Sequence, residues 1–208
     1  MPTTPEPAPG PPWLLKGEVW LSVWLAPPVS IDAAPPPGWR LARLGGRLVV
    51  GAFWARYGAG GLLAYDELAV GVLVRRGMRL AVTVPWIWVD NPFASEGGRR
   101  NWAIPKRLAQ FRGSPDIGAE AVDDDGPIAR LRWRPRGPGL MTVVAPVSLA
   151  QPGESSAVSA TGRVSGRLQF GRASWASAGS LSMLQDLAPI LSFHLSAASL
   201  ALGPARRD

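Results

Sequence analysis

The chain has 208 residues, 47% of them hydrophobic, enough to bury a sizeable core, which excludes wholesale disorder. It has no cysteine and a single histidine, His194. Disulfides, thiolate metal sites and histidine-based metal clusters are thereby excluded, and no metal or cofactor is expected. The formal net charge is +7, and among 22 basic residues only Lys16 and Lys106 are lysines. Guanidinium stays protonated and cannot act as an amine nucleophile, whereas a desolvated lysine can, so a lysine inside a motif is informative here.

In chain order, residues 1–12 are Pro-rich and read as an extended, poorly ordered lead-in, without the charged and apolar regions of a secretory signal. Residues 13–208 read as a single domain. From Trp13 the pattern turns to strands: Val19, Leu21, Val23 and Leu25 share one face, with Trp20 and Trp24 on the other. Residues 26–38 carry five prolines and read as a loop. Strand-like runs follow at 41–54, 62–74 and 77–89, the last placing Met78, Leu80, Val82, Val84, Trp86 and Trp88 on one face.

Asn91-Pro92 is a helix start, with the asparagine as cap and the proline at the first helical position. That helix is expected to run to about Ala103, before Pro105, with Gly97-Gly98 kept small for close packing. Alternation returns at 128–134, which sets Arg130, Arg132 and Arg134 opposite Leu131 and Trp133, then at 140–149, 163–170 and 191–196. A second short helix fits around 177–184. The longest run without a formal charge, 187–205, holds Pro189, three serines and His194, so it is a poor membrane span. Many short strands, Gly/Pro turns and few helices predict a mainly β, closed or nearly closed architecture, soluble and cytoplasmic.

The stretch from Val89 to Ala109 carries the chemistry. A strand feeds a short helix, a Gly-Arg pair follows, and Ile104-Pro105-Lys106 sets a lysine at a rigid corner. In water an amine with pKa near 10.4 is neutral about one part in a thousand at pH 7. Apolar neighbours (Trp102, Ala103, Ile104, Leu108) or nearby cations (Arg100, Arg107) would disfavour the ammonium and free the nucleophile.

These residues resemble the acetoacetate decarboxylase-like superfamily: Val89-Asp90-Asn91, Gly98-Arg99-Arg100 and Pro105-Lys106-Arg107 stand at matching spacing. Ala64-Tyr65-Asp66-Glu67 is similar to the family's Tyr-x-Glu strand, Gly166–Phe170 to a second strand, and 187–204 to its closing strand. The resemblance implies an antiparallel barrel or cone with short flanking helices, a homo-oligomer, Lys106 as the Schiff-base lysine, and Glu67 pointing into the active site. There are departures. Arg100 stands where the family has glutamate, Arg107 replaces a second lysine, no carboxylate occurs between Asp32 and Asp66, and no arginine precedes Arg40.

The expected function is a cofactor-independent Schiff-base enzyme, a lyase acting on a small keto acid by decarboxylation or by aldol or dehydratase chemistry through the same enamine. The alternative is a non-catalytic barrel of the same fold that binds a small ligand. Lys106 and Glu67 are the expected catalytic pair, although a structural ion pair for Glu67 stays open. Arg99, Arg100 and Trp102 are the expected substrate contacts. His194 reads as a packed strand histidine, and the Arg130–Arg136 stripe as a solvated face, so no nucleic-acid or membrane partner is expected.

Overall fold

The computed structural model describes residues 8–137 and 141–207. Leu140, the first residue of one predicted strand, and residues 1–7 of the predicted lead-in lie outside them. Long strands are β1 (Trp13–Ala26), β4 (Arg47–Tyr57), β5 (Tyr65–Arg76), β6 (Arg79–Val89), β10 (Gly126–Pro135), β11 (Met141–Pro152), β12 (Ala157–Ser177) and β13 (Leu191–Leu202). Shorter pieces are β2 (Arg40–Leu41), β3 (Arg43–Leu44), β7 (Arg107–Leu108), β8 (Gln110–Ser114), β9 (Gly118–Asp123) and β14 (Arg206–Arg207). The one α-helix among the described residues, α1, is Pro92–Trp102. The second predicted helix forms as a 3-10 turn, Gly179–Leu184.

Pairing in the order β11-β6-β5-β4-β1-β13-β12, with β12 returning to β11, closes seven strands into a ring. All ring contacts are antiparallel except β11–β6, a single parallel pair at Leu149 and Val82. This seam is reinforced by the buried Gln151 amide. Its Oε1 accepts from Thr83 Oγ1 at 3.0 Å and from Val84 N at 3.2 Å, and its Nε2 donates to Val84 O at 3.3 Å. The side chain thus takes the place of a backbone partner beside Pro85, which has no N–H to give.

Two apolar clusters follow from strand alternation. Val19, Ala55, Ala69, Val84, Ile87, Leu149, Ala160 and Leu195, one or more from every ring strand, pack inside the ring. Trp20, Trp24, Val50, Trp54, Leu68, Val70 and Trp88 point outward and are covered by Ala119, Ala121, Ile128, Leu131 and Trp133 of β9 and β10. The long β12 links the layers, pairing with β13 along Gly162–Phe170 and with β10 along Gly171–Ser177. The two tryptophans of β1 therefore lie in a core between layers, while Leu21, Val23 and Leu25 on its other face are half-buried.

One expected face is corrected. Met78 and Leu80 are exposed, Val82 and Val84 belong to the inner cluster, and Trp86 and Trp88 pack on the outer one. Between Val70/Trp86 and Val72/Thr83 the register gains one residue on β6, a bulge at Pro85 that reverses the strand's faces. The arginine stripe stands as expected: Arg130, Arg132 and Arg134 are exposed while Leu131 and Trp133 are buried, with Arg130 paired to Glu120 at 2.8 Å.

Candidate functional site

Glu67 lies on β5 between Asp66 and Leu68, and strand alternation turns it inward: Leu68 joins the outer cluster, Ala69 the inner one. The opposite wall is α1. Asn91 caps it, its side chain accepting from Phe93 N and Ala94 N, and Pro92 opens its first turn. The helix ends at Ala103, whose φ of 55° is left-handed and whose N–H returns to Arg99 O at 3.0 Å. Lys106 N donates to Ile104 O at 2.8 Å, a tight turn about Pro105.

The Lys106 carbonyl is then pinned by Ser95 Oγ at 3.0 Å and Arg99 Nε at 2.7 Å. With both backbone groups held, the side chain runs along Gly98 into the ring. A Cβ at Gly98 would stand 2.7 Å from Lys106 Cδ, and one at Gly97 would stand 2.4 Å from the Trp13 ring. The glycine pair expected for close packing is therefore the floor on which this lysine and Trp13 lie.

Lys106 and Glu67 are each only 4% exposed. Lys106 Nζ donates to Glu67 Oε2 at 2.5 Å and to Tyr65 Oη at 3.3 Å, and it sits 5.0 Å from the Tyr65 ring centroid and 5.7 Å from that of Trp13. Burial first, then the charge of Glu67, pushes the Tyr65 and Tyr57 hydroxyls well above their usual range. Both phenols are therefore neutral donors at neutral pH. A buried amine with a carboxylate in hydrogen-bond contact can pass its proton over a short distance and become a nucleophile, with no titratable water exposure on the way.

The structure brings Lys106 and Glu67 together and separates the other expected residues from the amine. Arg99 is engaged with the Lys106 carbonyl rather than the ammonium. Arg100 lies on the outer face of α1, 3.5 Å from Glu96, and also bonds Ala8 O. Trp102 is buried behind Trp13, edge-on at 5.0 Å, with its Nε1 donating to Gly203 O. Arg107 and Leu108 are exposed, so the dry walls come from Trp13, Tyr65 and Gly98. The charge beside the amine is an anion rather than the expected cation.

The sequence reading did not single out the supporting groups: Ser95, Trp13, and the brace Arg56–Asp66, bidentate at 2.9 and 3.0 Å, with Asp66 N donating to Asp90 Oδ1 at 2.9 Å. That brace aligns β4, β5 and β6 next to Glu67. Desolvation raises the Asp90 carboxyl, and the Asp66 contact raises Arg56. The alternation Arg56, Asp66, Glu67 was the available signal. Among the described residues no group of carboxylates and histidine is arranged to hold a metal.

A mainly β ring with an inward lysine on a helix-turn corner and a glutamate facing it defines the class of protein. The sequence matches the acetoacetate decarboxylase (ADC) family over residues 1–167, and the chain belongs to that family. Among solved structures it is similar to an acetoacetate decarboxylase from Legionella pneumophila subsp. pneumophila str. Philadelphia 1, at 17% identity and TM-score 0.77, covering 100% of this chain and 92% of that one. It is similar also to the enduracididine biosynthesis enzyme MppR complexed with the condensation product of pyruvate and imidazole 4-carboxaldehyde, at 17% identity and TM-score 0.64, covering 96% and 90%. An acetoacetate decarboxylase-like enzyme from Sphingomonas wittichii RW1 matches at 17% identity and TM-score 0.63, covering 94% and 92%. Among curated proteins none matches. Among the described residues no helix is long and apolar enough to cross a membrane.

Proposed function

We propose that this protein is a Schiff-base lysine enzyme acting on a small keto acid. The observation that carries the reading is the buried contact of Lys106 Nζ with Glu67 Oε2 at 2.5 Å. It is supported by membership of the ADC family and by a structural neighbour complexed with pyruvate.

Glu67 takes a proton from the ammonium, and the freed Nζ adds to the ketone carbon. The former carbonyl oxygen, protonated twice, leaves as water, and the nitrogen keeps a positive charge as the protonated imine. That cation accepts the electron pair of the adjacent bond: the C–C bond of a departing CO₂, or the C–H bond of an α-carbon whose proton Glu67 receives. The enamine then takes a proton or an aldehyde carbon, and water releases Lys106. Tyr65, a neutral donor, holds Glu67 and the developing oxygen. Of the three expected substrate contacts, Arg99 serves as a positioning residue through the Lys106 carbonyl, and Trp102 supports the Trp13 wall.

The test is borohydride reduction in the presence of pyruvate, followed by intact mass and peptide mapping. An adduct on Lys106, absent in Lys106→Arg, is the expected result, because guanidinium keeps the charge but forms no carbinolamine. No adduct with any keto acid in the folded protein would leave the non-catalytic binding barrel.

A further inference from the structure

The inner face of the ring is graded. Cα partners across paired strands share a face, so Glu67, Ala55, Val19 and Leu195 form one row, and every member is buried. The next row toward the far end is Ala69, Phe53, Leu21, Phe193 and Phe170. Ala69 is still buried, the middle three are half-buried, and Phe170 is 49% exposed. One row further stand Gly71, Gly51, Val23 and Leu191, the last 42% exposed.

On β1, β4 and β13 the rows therefore open from buried beside the Lys106–Glu67 pair to half-buried or exposed toward the end of the ring away from α1, while β5 stays buried through Ala69 and Gly71. None of the residues in these two outer rows is charged or polar. Gly51 leaves room there, since a Cβ on it would meet no atom closer than 4.0 Å.

Resting on the Schiff-base reading above, we infer that the substrate is a keto acid carrying an apolar substituent of about phenyl size. The substituent lies along Leu21, Phe53 and Phe193, and the ketone lies at Lys106. A path without a polar group gives a bare methyl little to bind and gives a phenyl group most of its desolvation, worth roughly tenfold or more in affinity.

Two measurements separate this inference from the chemistry on which it rests. Calorimetric titration of the wild-type protein with lactate and with 3-phenyllactate involves no imine, because neither acid carries a ketone. Phenyllactate is expected to bind at least roughly tenfold tighter, and Gly51→Leu is expected to abolish that difference while leaving lactate unchanged. Leu191→Trp, on the exposed rim, is the second variant if Gly51→Leu does not fold. Borohydride trapping with pyruvate and phenylpyruvate is then expected to show the same preference and the same loss. If neither keto acid is trapped while the phenyllactate preference and its loss persist, the Schiff-base reading falls and the seat for the apolar group stands. Equal binding of the two hydroxy acids, or a preference that survives both variants, overturns the inference. So does a variant that changes sedimentation but not phenyllactate affinity, since the open end would then be a contact between copies of the chain.

Discussion

Lys106 and Glu67 are mutually dependent: among the described residues each is the other's buried ion-pair partner, so removing one leaves the other stranded. Glu67→Leu should lower the unfolding free energy by about 3 kcal/mol, and Glu67→Leu with Lys106→Met should recover most of that loss, as buried pairs replaced by apolar residues do. Urea denaturation of the two variants checks this, and an unimproved double variant would refute it. His194 is the second informative residue. Its ring stacks on Trp20 at 4.6 Å and 6°, and its Nε2 is 3.5 Å from Glu18 Oε2, an ion-pair distance rather than a good hydrogen bond. Burial lowers the imidazole below its usual range, opposed by Glu18 and Asp116. The unfolded chain therefore binds this proton at higher pH than the fold does. The stability is fully present above the unfolded value, about 6.5, and is lost as pH falls through the folded one. His194→Phe keeps a stacking ring and should flatten the decline in urea midpoint between pH 7 and pH 5. An unchanged slope would remove His194 as its source.

At the scale of elements, α1 and the β11–β6 seam carry the distinctive demands. Gly98→Ala gains up to about 1 kcal/mol of helix propensity. It also places a methyl 2.7 Å from Lys106 Cδ, and this contact falls on the one side chain that cannot move without losing Glu67. Overall stability should therefore fall by up to about 2 kcal/mol, the overpacking cost less the helix gain, while the rate of borohydride trapping falls by roughly tenfold or more. Unchanged trapping would show the lysine to be loosely seated. At the seam, Gln151→Leu removes the partners of Val84 N–H, Val84 C=O and Thr83 Oγ1. Buried unpaired polar groups cost about 1–3 kcal/mol each. The variant should lose roughly 3 kcal/mol, read by thermal unfolding, and a neutral effect would mean that the ring closes without it.

At the scale of the whole molecule, the departures around the site bear on the proposed reaction. The chain has no arginine before Arg40 and no carboxylate between Asp32 and Asp66, and its Arg100 pairs with Glu96 at the surface. Among the described residues the guanidinium in contact with Lys106, that of Arg99, is engaged by the Lys106 carbonyl, so in the proposed reaction a substrate carboxylate has no free guanidinium to hold it beside the imine. Steady-state assay should accordingly show little acetoacetate decarboxylation even where keto-acid trapping succeeds. Release of CO₂ at about ten turnovers per second or more, a typical enzyme rate, would show the departures to be harmless. A homo-oligomer is the companion proposal. Met78 is 98% exposed and Leu80 56% at one end of the ring, apolar surface that a partner copy would cover. Sedimentation at micromolar concentration should give more than one chain per particle, and a monomer throughout would refute it.

What the sequence alone determined was local: the alternation that sets Trp20 and Trp24 on the opposite face of their strand from Val19 and Leu21, the Asn91-Pro92 cap, the small pair Gly97-Gly98, and the lysine after Pro105. Each follows from steric and hydrogen-bonding preferences of a few consecutive residues, and the spacing of these motifs already resembled the family. The reversal of faces at Pro85 was not legible, because a bulge depends on which residue of β5 lies opposite. Strands β8 and β9 were not legible either, being short and rich in glycine and charge, so that only the covering of Trp54 and Trp88 makes them strands. Whether Glu67 paired with anything was equally open. A strand residue and a helix-turn residue 39 positions apart meet only when the ring closes and α1 docks on it. Closure of seven strands through the β11–β6 seam is a long-range event, and it is this event that turns a lysine and a glutamate into a buried pair.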